Sequence, residues 1–214
     1  MTLEILSFET EPLATNTYMV WDTDTKECAI IDPGLDSIYP IKEIINKYKL
    51  KPTWILLTHS HWDHISGLAQ VKKDLQLPIY VHELDAHNVR RPGADKLPLM
   101  FPIEGVEPDH FIKDGDNIKL GKEFFEVIHL PGHSPGGVGF YNTKNNMLIS
   151  GDTLFQGSMG NLSFPECNPK HMWESLKKLA KLPKETRVYP GHGEATTIGN
   201  ESWLSNAENI FGNR

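Results

Sequence analysis

Thr58-His59-Ser60-His61-Trp62-Asp63-His64 carries three histidines and an aspartate as H-x-H-x-D-H. Imidazoles and a carboxylate this close together suit a borderline divalent ion such as zinc, whose usual ligands are His nitrogen and Asp or Glu oxygen. A surface cluster gains nothing from such spacing. The stretch also decides the local fold. Thr53 to Leu57 (T-W-I-L-L) is an apolar run bounded by Pro52 and the histidines, so it reads as a strand buried on both faces. Beyond it, Ile65, Leu68, Val71 and Leu75 recur at helical spacing, and a helix is expected over Asp63 to Leu75. The motif therefore occupies a strand-to-helix junction, with His59 and His61 in the loop and Asp63 and His64 in the first helical turn.

Working outward, strands are expected at Leu3 to Phe8, Thr17 to Trp21 and Cys28 to Ile31. A helix follows, carrying Ile38, Ile41, Ile44, Ile45 and Tyr48 at spacings of three and four. After the motif, Pro78 to His82 reads as a strand and Glu83 to Arg90 as a short helix. Arg91 to Pro108 holds Pro92, Gly93, Pro98, Pro102, Gly105 and Pro108, so it is expected to be irregular and is a lid candidate over a cleft. Further strands are expected at Asn117 to Leu120, Phe124 to His129, Gly137 to Asn142, Met147 to Ser150 and Arg187 to Tyr189, with a helix over Lys170 to Leu182. The class is α/β: two β-rich halves with outer helices, expected as one domain over residues 1–214.

A formal charge of -7 disfavours a nucleic-acid partner, because nonspecific binding to a phosphate backbone rests on Lys and Arg displacing counterions. No run of 18 apolar residues suggests a membrane span. Met1 to Pro12 carries Glu4, Glu9 and Glu11 and lacks both a basic n-region and an apolar h-region. Cys28 and Cys167 lie far apart, and two thiols without an export signal are expected to stay reduced. A cytoplasmic address is the resulting expectation. Nothing in the sequence speaks to oligomeric state.

Three more metal-ligating residues occupy Gly-bounded turns directly after expected strands: His133 in Pro131 to Gly137, Asp152 after Ser150-Gly151, and His192 in Pro190-Gly191-His192-Gly193. Turns at strand ends on a rigid scaffold are where binding groups concentrate. With His59, His61, Asp63 and His64 they make seven candidate ligands, too many for one tetrahedral ion but suited to two if a carboxylate bridges them. Two divalent ions about 3.5 to 4 Å apart would hold a shared water whose pKa falls from 15.7 toward about 7, giving a hydroxide nucleophile. Zinc fits these donors, and iron or manganese would be accepted by the same set.

The H-x-H-x-D-H run, the Gly-His-Ser turn at residue 133, the Gly-Asp-Thr-Leu-Phe segment at residue 152 and the Pro-Gly-His-Gly turn at residue 192 resemble the metallo-β-lactamase superfamily. Within it the chain is most similar to short glyoxalase II-like hydrolases that lack a C-terminal helical domain. The resemblance extends from Asn16-Thr17-Tyr18 and Ile31-Asp32-Pro33-Gly34 to Ala195-Thr196-Thr197-Ile198-Gly199. It implies a four-layer αβ/βα sandwich with metals at one edge of the packed sheets. It also implies that His59, His61 and His133 hold a first metal, that Asp63, His64 and His192 hold a second, and that Asp152 bridges them. Asp63 and Asp152 would then be the catalytic carboxylates beside the hydroxide, and Asp32 would orient a ligand imidazole. The implied reaction is hydrolysis of a small-molecule thioester of the S-acyl glutathione type, S-lactoylglutathione giving D-lactate and glutathione.

The chain departs from the pattern at Gly157-Ser158-Met159-Gly160-Asn161, where similar proteins carry an Arg in place of Asn161, so a bidentate carboxylate partner is missing. Arg90 and Arg91 are candidates to replace it. Phe155, Met159 and Phe164 are candidates for an acyl-pocket wall, and Cys167 for a residue near it. His82, His87, His110, His129 and His171 are expected to be structural. Two alternatives stay open at this point. One is a mono-iron persulfide dioxygenase-like oxidoreductase using His59, His133 and Asp152, and the other a non-enzymatic metal-binding protein, with ester, lactone or β-lactam substrates open within the hydrolase class.

Overall fold

The computed structural model describes residues 3–212. The first half runs β1 (Leu3–Thr10), β2 (Thr15–Asp22), β3 (Glu27–Ile31), α1 (Ile38–Tyr48), β4 (Lys51–Leu56), α2 (Trp62–Ile65), α3 (Leu68–Leu75), β5 (Ile79–His82), α4 (Ala86–Arg90) and β6 (His110–Ile112). The second runs β7 (Asn117–Leu120), β8 (Glu123–His129), β9 (Val138–Asn142), β10 (Met147–Gly151), α5 (Pro169–Leu179), β11 (Arg187–Pro190), β12 (Thr196–Thr197) and α6 (Ala207–Phe211). β1 to β6 build one six-stranded sheet and β7 to β12 another, each in chain order across the sheet. β1 to β3 pair antiparallel through short turns, whereas β3 to β6 run parallel, with helices in the crossovers. In the second sheet only β10 and β11 are parallel, with α5 between them.

The layering follows from strand alternation, because side chains of successive residues leave opposite faces of a strand. β2 is buried along its whole length. Its Met19 and Trp21 pack outward with Ile30 of the neighbouring β3 and with Ile41, Leu68 and Val71 of α1 and α3. Its Tyr18 and Val20 pack inward with Ile31, Phe125, Val127, Phe140 and Ile149, which form the core between the sheets. On the far side, Tyr141 and Leu148 face Met172, Trp173 and Leu176 of α5. Three apolar layers thus separate helix, sheet, sheet and helix, and the expected four-layer αβ/βα sandwich is the architecture found.

Most expected elements occur within a few residues of their expected ends. α5 starts where Asn168 caps it by accepting the His171 amide at 3.2 Å, with Pro169 at the first helical position. The expected helix over Asp63 to Leu75 is instead two helices, α2 and α3. The break is at Gly67, whose amide donates to Pro33 O at 3.0 Å and whose Cα packs against the Gly34 carbonyl. Periodicity continues through the break because both helices bury the same apolar face, so spacing alone does not reveal it. Short strands β6 and β12, which carry little alternation, were not anticipated.

A Cβ at Gly67 would overlap the Gly34 carbonyl oxygen, a backbone atom that cannot rotate aside. Gly67→Ala is expected to lower stability by about 1–3 kcal/mol, the usual range for overpacking. Urea denaturation followed by circular dichroism measures it, and an unchanged midpoint would show that the two helices are not held there.

Candidate metal centre

The parallel strands end at one edge of the sandwich, and the candidate ligands follow them. Asp32 comes directly after β3, His59 and His61 after β4, Asp152 after β10 and His192 after β11, while His133 lies in the turn between β8 and β9. α2 supplies Asp63 and His64 from its first turn, as expected. All seven sequence-selected residues meet here, and all but His192 are buried.

They gather as two groups. Ligand atoms of His59, His61 and His133 lie within 4.8 Å of one another, as do those of Asp63, His64 and His192. His59 Nε2 is 3.2 Å from His61 Nδ1, and His64 Nε2 is 3.3 Å from His192 Nε2. Asp63 Oδ2 stands 3.4 Å from His64 Nε2 and 3.2 Å from His192 Nε2. Ligands about 2.0–2.1 Å from one tetrahedral ion are about 3.3 Å apart, so these spacings are those of a coordination shell. Asp152 stands between the groups. Its Oδ2 is 3.3 Å from His133 Nε2 and 3.5 Å from His192 Nε2, and its Oδ1 is 3.5 Å from His64 Nε2.

The imidazole protons can be assigned from their partners. Carbonyl and carboxylate oxygens only accept, so His64 donates Nδ1–H to Asp32 (3.0 Å), His133 to Asn161 O (2.8 Å) and His192 to Leu13 O (3.1 Å). Thr58 donates its hydroxyl to Asp32 at 2.5 Å, which leaves that oxygen to accept His59 Nδ1–H at 3.1 Å. Four Nε2 lone pairs are therefore turned on the centre together with buried carboxylates. Facing lone pairs repel unless protons or a cation lie between them. Asp152 Oδ1 is buried without a hydrogen-bond partner, an acceptor that a cation would satisfy. A Cβ at Gly191 would overlap that same oxygen, so glycine is needed for the His192 turn to approach it. The residues present fit a divalent metal.

Several positioning residues carry no signal in the local sequence. Thr15 donates to Asp63 Oδ2 at 2.6 Å. Asn16 fastens the His192 turn by donating to Pro190 O and Gly193 O at 3.0 and 2.9 Å. Buried Asp85 accepts the amides of Ser60 (3.0 Å) and Gly136 (2.5 Å), joining the first ligand loop to the His133 turn. Asp32 adopts a left-handed φ of 51°, which aspartate tolerates better than most residues. This conformation sets its carboxylate against both Thr58 and His64, the orienting role implied by the resemblance.

Electrostatics divides the imidazoles. Burial and the neighbouring His133 push His61 down to about 3. For His64 burial opposes charge, but Asp63, Asp152 and Asp32 outweigh it and raise the group to about 9. His133 is raised to about 10, burial again being outweighed by its contacts with Asp152, Cys167 and Asn161. Asp63 is held well below the usual carboxylate range, since His64, His192 and Thr15 overcome its burial.

A cavity of about 300 Å³ opens beside the ligands, lined in part by Leu13, Trp62, Leu97, Pro98, Phe155 and Phe164. Leu97 and Pro98 belong to the irregular segment at 91–108, which thus borders the cavity. Of the candidate wall residues, Phe155 and Phe164 line this cavity, whereas Met159 packs into the core beside α5. Asn161 lines it too, but its functional contact is the carbonyl on His133. Arg90 is engaged elsewhere, with Nε and a terminal nitrogen on Glu107 at 2.8–2.9 Å and the guanidinium over Phe111. Cys167 is half-buried, 3.0 Å from His133 O. His82 and His129 stack on each other at 4.3 Å outside the centre.

The Metallo-beta-lactamase superfamily model matches residues 10–192. The chain is similar to the hydroxyacylglutathione hydrolase GloC of Haemophilus influenzae, with 35% identity over 87% of this chain and 89% of that one. Among solved structures it resembles the BLEG-1 B3 metallo-beta-lactamase, with TM-score 0.86 and 34% identity over 94% of this chain and 100% of that one. It also resembles TTHA1623 in a di-iron-bound form, with TM-score 0.80 and 37% identity over 92% and 96%.

Coordination requires unprotonated nitrogen, so loading metal at pH 7 must displace protons from His64 and His133. Titrating zinc into weakly buffered metal-free protein should release protons, and affinity should rise from pH 7 to 9; a titration without proton release would contradict the assignment. The sign for stability is the reverse. Folded values above the unfolded value of about 6.5 stabilise the metal-free fold fully below that pH, and the stabilisation is lost as pH rises through about 9 to 10. Melting of metal-free protein across that window checks it.

Proposed function

The chain belongs to the metallo-β-lactamase superfamily, and from that membership we propose that it is a metal-dependent hydrolase cleaving a thioester of the S-acyl glutathione type. S-lactoylglutathione, hydrolysed to D-lactate and glutathione, is the reference substrate. The observation that carries this reading is Asp152, a buried carboxylate with one oxygen unpartnered and with ligand nitrogens of both groups within 3.5 Å. We assign His59, His61 and His133 to one ion, Asp63, His64 and His192 to the other, and Asp152 to both. Bound there, two divalent ions, zinc by donor type with iron or manganese as substitutes, would polarise a carbonyl oxygen and make hydroxide available from water near neutral pH.

The chain's own residues prepare that chemistry. Asp32, Thr58, Leu13 O and Asn161 O hold the Nδ1 protons of four histidines, so each Nε2 stays turned to the centre. Thr15 holds Asp63 through one oxygen. Asp63 and Asp152 are the carboxylates lining the cavity, hydrogen-bond acceptors that would orient an attacking water. Leu97, Pro98 and Phe164 give the cavity an apolar border beside these carboxylates. Among the described residues neither lysine nor tyrosine lines it. A thiolate leaves without a protein acid, because a thiol pKa is only about 8.5. A mono-iron dioxygenase would use His59, His133 and Asp152 but would leave Asp63, His64 and His192 converged without purpose.

Metal analysis combined with a thioester assay in air and without oxygen tests the reading. Two metals per chain with oxygen-independent hydrolysis are expected, whereas one iron with oxygen consumption on glutathione persulfide would overturn it. Asp152→Asn should lower metal content and turnover together, by tenfold or more, with the circular dichroism spectrum kept. Full activity in that variant would sink the bridging role.

A further inference from the structure

The cavity beside the ligands has an unusual balance of side chains. Leu13, Trp62, Leu97, Pro98, Phe155 and Phe164 supply its apolar wall, and among the described residues no lysine or arginine lines it. Its charged lining residues apart from histidine are Asp63 and Asp152, both anionic. The cations nearest in sequence do not change this. Arg90 is committed to Glu107, and Arg91 and Lys96 are exposed and outside the lining. Asn161 stands where an arginine would occupy the resembling pattern, and its Oδ1 accepts the Ser163 amide at 2.7 Å. Away from the ligand edge, a carboxylate or polyhydroxylated acyl group would give up water against this wall without gaining a cationic side chain, a cost that apolar atoms do not meet.

The wall is built onto the ligand scaffold. Phe164 meets the His61 and His133 rings edge-on or tilted at 5.6 and 5.8 Å, and Phe155 meets His192 at 6.0 Å. Trp62 packs against Phe101 at 5.7 Å. Asp95 is buried and accepts the Leu97 amide at 3.0 Å and the Asn88 side chain at 2.9 Å. That Asn88 amide also donates at 2.5 Å to Ser60 O, between His59 and His61. Leu97 and Pro98 are therefore tied through two buried polar side chains to the loop that carries the first ligands. The cavity of about 300 Å³ is wide enough for an acyl chain of several carbons or an aromatic ring.

We propose that this cavity receives the acyl half of the substrate and selects an uncharged, apolar acyl group such as hexanoyl or phenylacetyl over lactoyl, with the thiol half directed to solvent. The selectivity rests on the thioester reading above and refines it. Burial of each added methylene raises kcat/KM about fourfold until the wall is filled. Leu97 and Phe164 determine specificity without ligating metal.

The test uses the zinc-loaded full chain and thioesters of one neutral thiol, N-acetylcysteamine, carrying acetyl, lactoyl, butanoyl, hexanoyl, phenylacetyl and succinyl groups. Hexanoyl and phenylacetyl esters are expected to exceed the lactoyl ester by at least tenfold in kcat/KM. Leu97→Lys should reduce the hexanoyl value by tenfold or more while raising the succinyl value, with metal content unchanged. Phe164→Ala should flatten the chain-length dependence should Leu97→Lys fail to fold. Lactoyl turnover equal to or above hexanoyl would overturn the proposal. Binding of hexanamide and lactamide by ligand-observed NMR separates it from the thioester reading. If no thioester is cleaved yet hexanamide alone binds, the reaction assigned above is wrong and the selectivity stands. If neither amide binds, the selectivity falls.

Discussion

His64 and His192 point their Nε2 atoms at each other across 3.3 Å, and each has already committed its other nitrogen, to Asp32 and to Leu13 O. Two imidazole lone pairs so placed repel, and the carboxylates of Asp63 and Asp152 add negative charge to the same small volume. Such a centre is tolerable only with protons or a cation inside it. The sandwich holds these groups together regardless, because its sheets are fixed by the apolar core between them rather than by the ligands. The fold thus imposes the electrostatic demand that a divalent ion meets.

That demand explains the density of hydrogen bonding around the edge. The ligand-bearing turns come from both sheets, and each is fastened by a side chain or carbonyl from another segment. Thr15 and Asn16 hold Asp63 and the His192 turn, Asp85 joins the first loop to the His133 turn, and Asn88 with Asp95 ties in the irregular segment. Buried polar groups of this kind are costly unless satisfied, and most here are satisfied by backbone amides and carbonyls. Asp152 Oδ1, at the centre itself, is left without such a partner.

The apolar wall follows from the same construction. Irregular backbone at residues 91–108 needs anchors, and the anchor used, Asp95, lies against Asn88 and thereby against Ser60. Side chains placed by that anchoring border the ligands without serving them. The arginine just before that segment, Arg90 at the end of α4, is turned away by Glu107, a contact between residues 17 apart that no local pattern announces.

Donor chemistry was legible in the sequence by itself. Histidine and aspartate at strand ends, with glycines beside them, identify metal-binding turns, and strand and helix periodicities give the α/β class, because both depend on residues close in the chain. The break at Gly67 was not legible, since two helices burying one face keep one period. Nor was the orientation of any imidazole, which rests on partners such as Leu13 O, 179 positions from His192, and Thr15, 48 positions from Asp63. Only the packed sheets decide which nitrogens turn inward, how six donors gather into two groups around Asp152, and which apolar side chains border them. A hydrogen bond is fixed by distance and angle in space, and the sequence carries neither across such separations.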